Sequence, residues 1–177
     1  MKITVFGGTA AVPGNPAYQE AHRLGCLLAQ AGHAVLTGGY MGAMEATSRG
    51  AAEAGGHVIG VTCAEIERWR NTSANAWVKE EWKTETLIER LVLLMDHCDA
   101  ALALPGGPGT LAEISLLWNR MIIQAIPLRP LILIGQGWKT TFEALYQSQD
   151  PFIREPQRRL LAFVPSVEAA VASLPTA

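Results

Sequence analysis

The sequence has no excess of charge of either sign, no cysteine pair and no long apolar run, and each absence excludes a class of protein. Lys and Arg number 14 against 16 Asp and Glu, a formal net charge of −2 over 177 residues. That balance cannot build the broad basic surface that holds nucleic acid non-specifically, so no nucleic-acid partner is expected. The three cysteines, Cys26, Cys63 and Cys98, are widely spaced with no C-x-x-C pair, which points to reduced, buried thiols. No stretch approaches the roughly 20 apolar residues of a membrane span. The opening MKITVFGG is too short for a signal-peptide core and reads as a first strand. A soluble, cytoplasmic protein with no membrane partner is the expectation. Apolar residues make up 49% and charged residues 17%, enough to bury the core of a single domain spanning 1–177.

What is present is an alternation of short apolar runs with helix-length amphipathic segments. The strand candidates are Ile3 to Phe6, Ala34 to Thr37, His57 to Val61, Asp99 to Leu104, Leu131 to Ile134 and Leu161 to Val164. They are continuous apolar runs, as parallel strands covered on both faces require. Helices are predicted over Pro16 to Gln30, Met44 to Ala54, Thr84 to His97, Thr110 to Gln124, Thr140 to Ser148 and Val167 to Leu174. The first has Asn15 as N-cap, Pro16 at its first position and Gly32 beyond its end. This order predicts an α/β fold with a doubly wound, mainly parallel sheet. One stretch breaks the rhythm: Cys63 to Lys83, CAEIERWRNTSANAWVKEEWK, is polar and carries Trp69, Trp77 and Trp82. Its indoles either lie over a ligand or cover a sheet edge or subunit contact.

Ligands of such sheets bind beyond the carboxyl ends of the strands, and three of those ends are glycine-rich: GGTAAVPG, TGGYMGAM and PGGPGT. Bare amides leading into helix N-termini make a phosphate site. There is no G-K-[ST], no G-x-G-x-x-G in the first loop, and no acid ending the second strand. A mononucleotide therefore fits better than a triphosphate or a dinucleotide. In LPGGPGTLAE, Gly106, Gly107 and Gly109 expose amides, Thr110 offers an N-cap hydroxyl, and Glu113 falls three residues later. Glu113 is either the acid of a T-x-x-E capping box or a carboxylate held ionised by the helix dipole at the ligand edge. Arg90 lies eight residues before Cys98, about 12 Å of helix, and the following strand climbs back roughly 16 Å. This brings Arg90 to the level of Pro105, as a paired, partly enclosed cation or as a surface partner of Glu89. The histidines His22, His33, His57 and His97 are dispersed, and the consecutive His97-Cys98-Asp99 cannot all face one ion, so no metal site is expected.

These segments resemble the LOG (lonely-guy) family, some of whose members carry a lysine-decarboxylase-like label. PGGPGTLAE matches the family's PGG-x-GT-x-x-E, Glu89-Arg90 stands at the matching distance upstream, and GGYMGAMEATSRGAAEAGGHVIGV resembles its second glycine run. The resemblance implies a Rossmann-like homodimer that hydrolyses a small-molecule nucleoside 5′-monophosphate, a cytokinin riboside monophosphate or AMP, to free base and ribose 5-phosphate, without a cofactor. By position it assigns catalysis to Arg90 and Glu113, and phosphate or substrate binding to Gly106, Gly107, Gly109, Thr110, Gly38, Gly39 and Gly42. A pyridoxal decarboxylase needs a Schiff-base lysine, and Lys2, Lys79, Lys83 and Lys139 all lie outside the glycine loops. The chain departs from the family at Leu91, where Lys is usual, and at Pro108, where an aromatic is frequent. Some relatives bind a phosphorylated cofactor such as molybdenum cofactor without turnover, and that carrier role is the alternative.

Overall fold

Seven parallel strands form one sheet in a computed structural model that describes residues 1–175. In chain order the strands are β1 (Lys2–Phe6), β2 (Ala34–Thr37), β3 (Val58–Cys63), β4 (Glu80–Thr84), β5 (Ala100–Ala103), β6 (Leu131–Ile134) and β7 (Ala162–Val164). Their spatial order is β4-β3-β2-β1-β5-β6-β7. The helices are α1 (Pro16–Gln30), α2 (Ala43–Glu53), α3 (Ala64–Arg70), α4 (Leu87–Asp96), α5 (Pro108–Ile122), α6 (Gln136–Ser148), α7 (Glu155–Arg158) and α8 (Val167–Ala172). No described helix is long and apolar enough to cross a membrane.

The apolar runs are buried on both faces because helices cover both. On one side Ile3, Val5, Val35, Val58, Ile132 and Ile134 pack with Leu24 and Leu28 of α1, Ala46 of α2 and Val167 of α8. On the other, Phe6, Leu36, Ile59, Val61, Leu131 and Leu133 pack with Leu94 of α4, Leu117 of α5 and Phe142 of α6. Neighbouring residues of one strand thus serve opposite cores, which is the period of two expected of a strand. The doubly wound parallel sheet expected from the sequence is the observed fold.

Three local departures have physical causes. α3 and all but the last residue of β4 fall inside the irregular stretch 63–83. β4 is a sheet edge whose sequence EEWKT buries no residue fully, so it lacks the apolar run of the inner strands. α5 begins at Pro108, with Gly107 as its N-cap and no side-chain cap. Thr110 is therefore not an N-cap and Glu113 stands in the second turn rather than in a capping box. The T-x-x-E box lies instead at Thr86 and Glu89, where the Glu89 amide donates to Thr86 Oγ1 at 3.2 Å and the Thr86 amide to Glu89 Oε2 at 3.0 Å. Among the cysteines, Cys63 and Cys98 are buried, Cys26 is half-buried and all three are free.

α1 and α2 touch backbone to backbone. A Cβ on Gly25 would lie 2.1 Å from the Thr47 carbonyl oxygen, and one on Gly50 would lie 1.9 Å from that of His22. Neither clash can be relieved by turning a side chain, so the helices must part. Gly50→Ala is expected to destabilise the fold by about 1–3 kcal/mol in urea unfolding. Unchanged stability would show that this close approach is not needed.

Candidate active site

The strand order reverses beside β1, whose neighbours are β2 and β5, so the loops leaving β1 and β5 diverge and open a crevice. These loops are stitched together by backbone. The Gly8 amide donates to the Pro105 carbonyl at 3.1 Å, and the Ala43 amide at the start of α2 donates to the Gly8 carbonyl at 3.0 Å. A cleft of about 400 Å³ lies above them. Gly7, Gly8 and Thr9, with Gly107, Pro108, Gly109 and Thr110, form one part of its wall. Tyr40, Met44, Ile66, Trp69, Arg70, Leu87 and Leu91 form another, and Arg90 and Glu113 both line it.

Arg90 is the fourth residue of α4 and is 4% exposed. The Thr86–Glu89 box fixes the helix start, leaving Glu89 engaged there rather than with Arg90. The guanidinium donates from Nε to the Val61 carbonyl at 2.7 Å and from Nη2 to the Gly38 carbonyl at 3.0 Å. It also approaches Met44 Sδ at 3.7 Å and lies 5.4 Å from the Tyr40 ring centroid. Tyr40 is pinned in turn, its hydroxyl donating to the Cys63 carbonyl at 3.1 Å and accepting from the Cys63 amide at 2.7 Å. Every one of these partners is neutral. Nη1 finds no acceptor among the described residues, so the cation reaches the cleft with donors to spare.

Glu113, the sixth residue of α5, keeps part of its surface open to the cleft while protein surrounds it elsewhere. Burial pushes its carboxyl up from 4.5 to about 7, and the charge of Arg90 pulls it down only in part. The expectation of a carboxylate held ionised by the helix dipole therefore gives way to one poised between its two forms at neutral pH, because desolvation outweighs the attraction of Arg90. Arg90 and Glu113 share the cleft without an ion pair between them.

The glycines divide into two groups. A Cβ on Gly38 would stand 1.7 Å from Arg90 Nη2, and one on Gly106 would stand 2.2 Å from Thr110 Oγ1. Gly39 and Gly42 both have φ of +76°, and a Cβ on Gly42 would meet Thr9 Cα at 2.5 Å. These four shape the cleft from behind and are not part of its wall. Gly107 and Gly109 differ: nothing lies within 4 Å of where their Cβ atoms would be, and neither has positive φ. What glycine achieves there is bare backbone at the start of an uncapped helix, where free amides favour an anion. The structure thus brings Arg90, Glu113, Gly107, Gly109 and Thr110 to one cleft, with Gly38, Gly39, Gly42 and Gly106 as its support.

The first glycine loop marked Gly7 and Gly8 in the sequence and the second, TGGYMGAM, contained Tyr40 and Met44, whereas no motif marked Ile66 or Leu87 as cleft residues. None of the four histidines reaches the cleft: His22 pairs with Glu53 at 2.7 Å, His57 with Glu80 at 2.8 Å, His97 lies against Trp82, and His33 is buried. No group of three or more His, Cys, Asp or Glu among the described residues is placed to hold a metal ion. A larger groove of about 600 Å³ at the far end of α5 is walled by residues such as Met121, Ile126, Leu128 and Leu160 and holds no titratable side chain.

The raised pKa of Glu113 has a consequence for stability. Its proton is held more tightly in the folded chain, so this contribution is complete below the ordinary value of 4.5 and is lost as pH rises through about 7. Glu113→Gln removes that loss. The variant is expected to gain up to about 3 kcal/mol on the parent between pH 4.5 and pH 8 in paired urea titrations. A constant difference across that range would contradict the shift.

Comparison with known proteins gives the family of the chain. The SLOG cluster4 family matches residues 1–154. A Mycobacterium marinum protein named cytokinin riboside 5′-monophosphate phosphoribohydrolase is 34% identical over 66% of this chain and 62% of its own length, so the chain spans about three-fifths of that relative. A probable cytokinin riboside 5′-monophosphate phosphoribohydrolase of Oryza sativa subsp. japonica is 30% identical over 98% of this chain and 71% of its own length. Among solved structures, the molybdenum cofactor binding protein of the phototrophic bacterium Rippkaea orientalis superposes with a TM-score of 0.75 at 25% identity, covering 97% of this chain and 93% of that one. The chain belongs to the LOG-like SLOG cluster4 family.

Proposed function

We propose that the chain is a nucleoside 5′-monophosphate phosphoribohydrolase, cleaving the N-glycosidic bond of a cytokinin riboside monophosphate or AMP to free base and ribose 5-phosphate. The observation that carries the reading is the meeting of Arg90 and Glu113 in the cleft that also holds the bare start of α5. The phosphate takes the first-turn amides of Gly109 and Thr110, and the free Nη1 of Arg90 supplies a second positive contact. As the bond between C1′ and the base nitrogen breaks, its electron pair leaves with the base and positive charge grows on the sugar. The Glu113 carboxylate stabilises that charge and takes a proton from the attacking water, whose oxygen bonds to C1′; the departing base nitrogen takes a proton from solvent, and Glu113 returns its own to solvent. A carboxyl near 7 suits this exchange at neutral pH. The same reading takes the enzyme as a cytoplasmic homodimer that needs no cofactor.

A second reading, a carrier that holds a phosphorylated nucleotide or molybdenum cofactor without turnover, is favoured by Leu91. This side chain stands in the cleft wall where the family usually has Lys, leaving Arg90 the only cation on that segment of α4. The likeness to the Rippkaea orientalis protein points the same way.

Incubation with AMP and with N6-substituted analogues, followed by chromatography of the free base, separates the two. The hydrolase releases base, and Glu113→Gln lowers turnover at least about 100-fold while still binding AMP. Because the ionised carboxylate is the active form, the parent's turnover rises between pH 6 and pH 8 with a midpoint near 7. Binding of AMP with no base released establishes the carrier instead.

A further inference from the structure

Of the three indoles in the stretch 63–83, two are accounted for within the fold. Trp77 carries the Arg49 guanidinium 5.5 Å from its ring centroid. Trp82, on edge strand β4, donates to Glu80 at 2.7 Å and packs against His97 with centroids 5.1 Å apart. Trp69 is different. It is 76% exposed and stands in the cleft wall. An indole so open to water forgoes a large burial gain, and here it does so beside bare amides suited to phosphate.

The position of Trp69 is fixed although α3 is short. Glu65 accepts the Leu87 amide at 2.7 Å, tying α3 to the start of α4, and Glu67 pairs with Lys83 of β4 at 2.7 Å. Asn71, with φ of +48°, closes the helix in the left-handed conformation directly after Arg70. The Arg70 guanidinium lies 4.8 Å from the Trp69 ring centroid. One face of the indole therefore carries a cation, and the ring's exposure leaves the other available. Ile66 and Leu87 stand with it in the cleft wall, adding apolar surface.

We infer that Trp69 is the stacking platform for the heteroaromatic base of the bound nucleoside monophosphate. The inference rests on the proposed function for the nature of the ligand, and it deepens that reading by dividing recognition in two. The amides at Gly109 and Thr110 with Arg90 hold the phosphate end, which every nucleotide shares. Trp69 holds the flat ring through its face, which tolerates different bases and ring substituents because each presents a π surface.

The test measures binding, so that turnover does not enter. In the Glu113→Gln background, AMP and ribose 5-phosphate are titrated calorimetrically against chains carrying Trp, Phe or Ala at position 69. Trp69→Ala is expected to weaken AMP about tenfold or more while leaving ribose 5-phosphate within about twofold, and Trp69→Phe to restore most of the AMP affinity. Equal loss for both ligands, no loss for AMP, or AMP binding no tighter than ribose 5-phosphate with Trp69 intact each overturns the inference. The hydrolase reading fails separately: tight, Trp69-dependent AMP binding with no adenine released by the parent leaves the platform standing and removes the enzyme. Adenine release by Trp69→Ala with unchanged AMP affinity does the reverse.

Discussion

A guanidinium buried with only neutral partners is the constraint around which this site is arranged. Arg90 is held by the carbonyls of Val61 and Gly38 and by the Tyr40 ring, with no carboxylate in ion-pair contact among the described residues. Removing a cation from water without a counter-charge is costly, and carbonyl dipoles return only part of that cost. Under the proposed function, the phosphate of the ligand supplies the rest. The arrangement depends on residue 38 having no side chain, since a Cβ there would occupy the space of Nη2. A glycine that does not line the cleft thereby decides whether the cation can.

The same division runs through the glycine-rich loops. Gly38, Gly39, Gly42 and Gly106 answer to steric or backbone demands inside the protein, whereas Gly107 and Gly109 face open space and answer to none. Beside β1, between the loops leaving β1 and β5, the first kind allows close packing of loop on loop and the second leaves amides for a ligand. The sheet supplies rigidity: β1 is hydrogen-bonded on both edges, to β2 and β5, so the loops above it start from fixed points. Preorganised donors of this kind need not rearrange when charge arrives.

Much of the fold was legible in the sequence because burial on both faces writes a continuous apolar run, as in Leu131–Ile134 or Ala34–Thr37. Edge strand β4 was not, because a strand covered on one side keeps charged residues such as Glu80 and Lys83. The N-terminus of α1 was readable from Asn15 and Pro16, and the structure has that cap, the Tyr18 amide donating to Asn15 Oδ1 at 2.8 Å. Applied to Pro108, the same rule places the start of α5 correctly, while the tempting T-x-x-E at Thr110 and Glu113 does not. Arg90 and Glu113 were visible as residue types at a spacing. The separation of the glycines into two groups was not, because it depends on distances across the fold that no local pattern carries.

The charge state of Glu113 follows from how few cations the cleft contains. Desolvation raises its pKa and Arg90 alone opposes that. Position 91 carries an apolar side chain in the cleft wall, 7% exposed. A lysine there would place a second positive charge beside the first, and in a partly desolvated cleft its Coulomb attraction would draw Glu113 further toward the ionised form. Leucine supplies no such attraction, so Glu113 stays poised between its two forms near neutral pH, where the proposed reaction needs a base that can both take and release a proton.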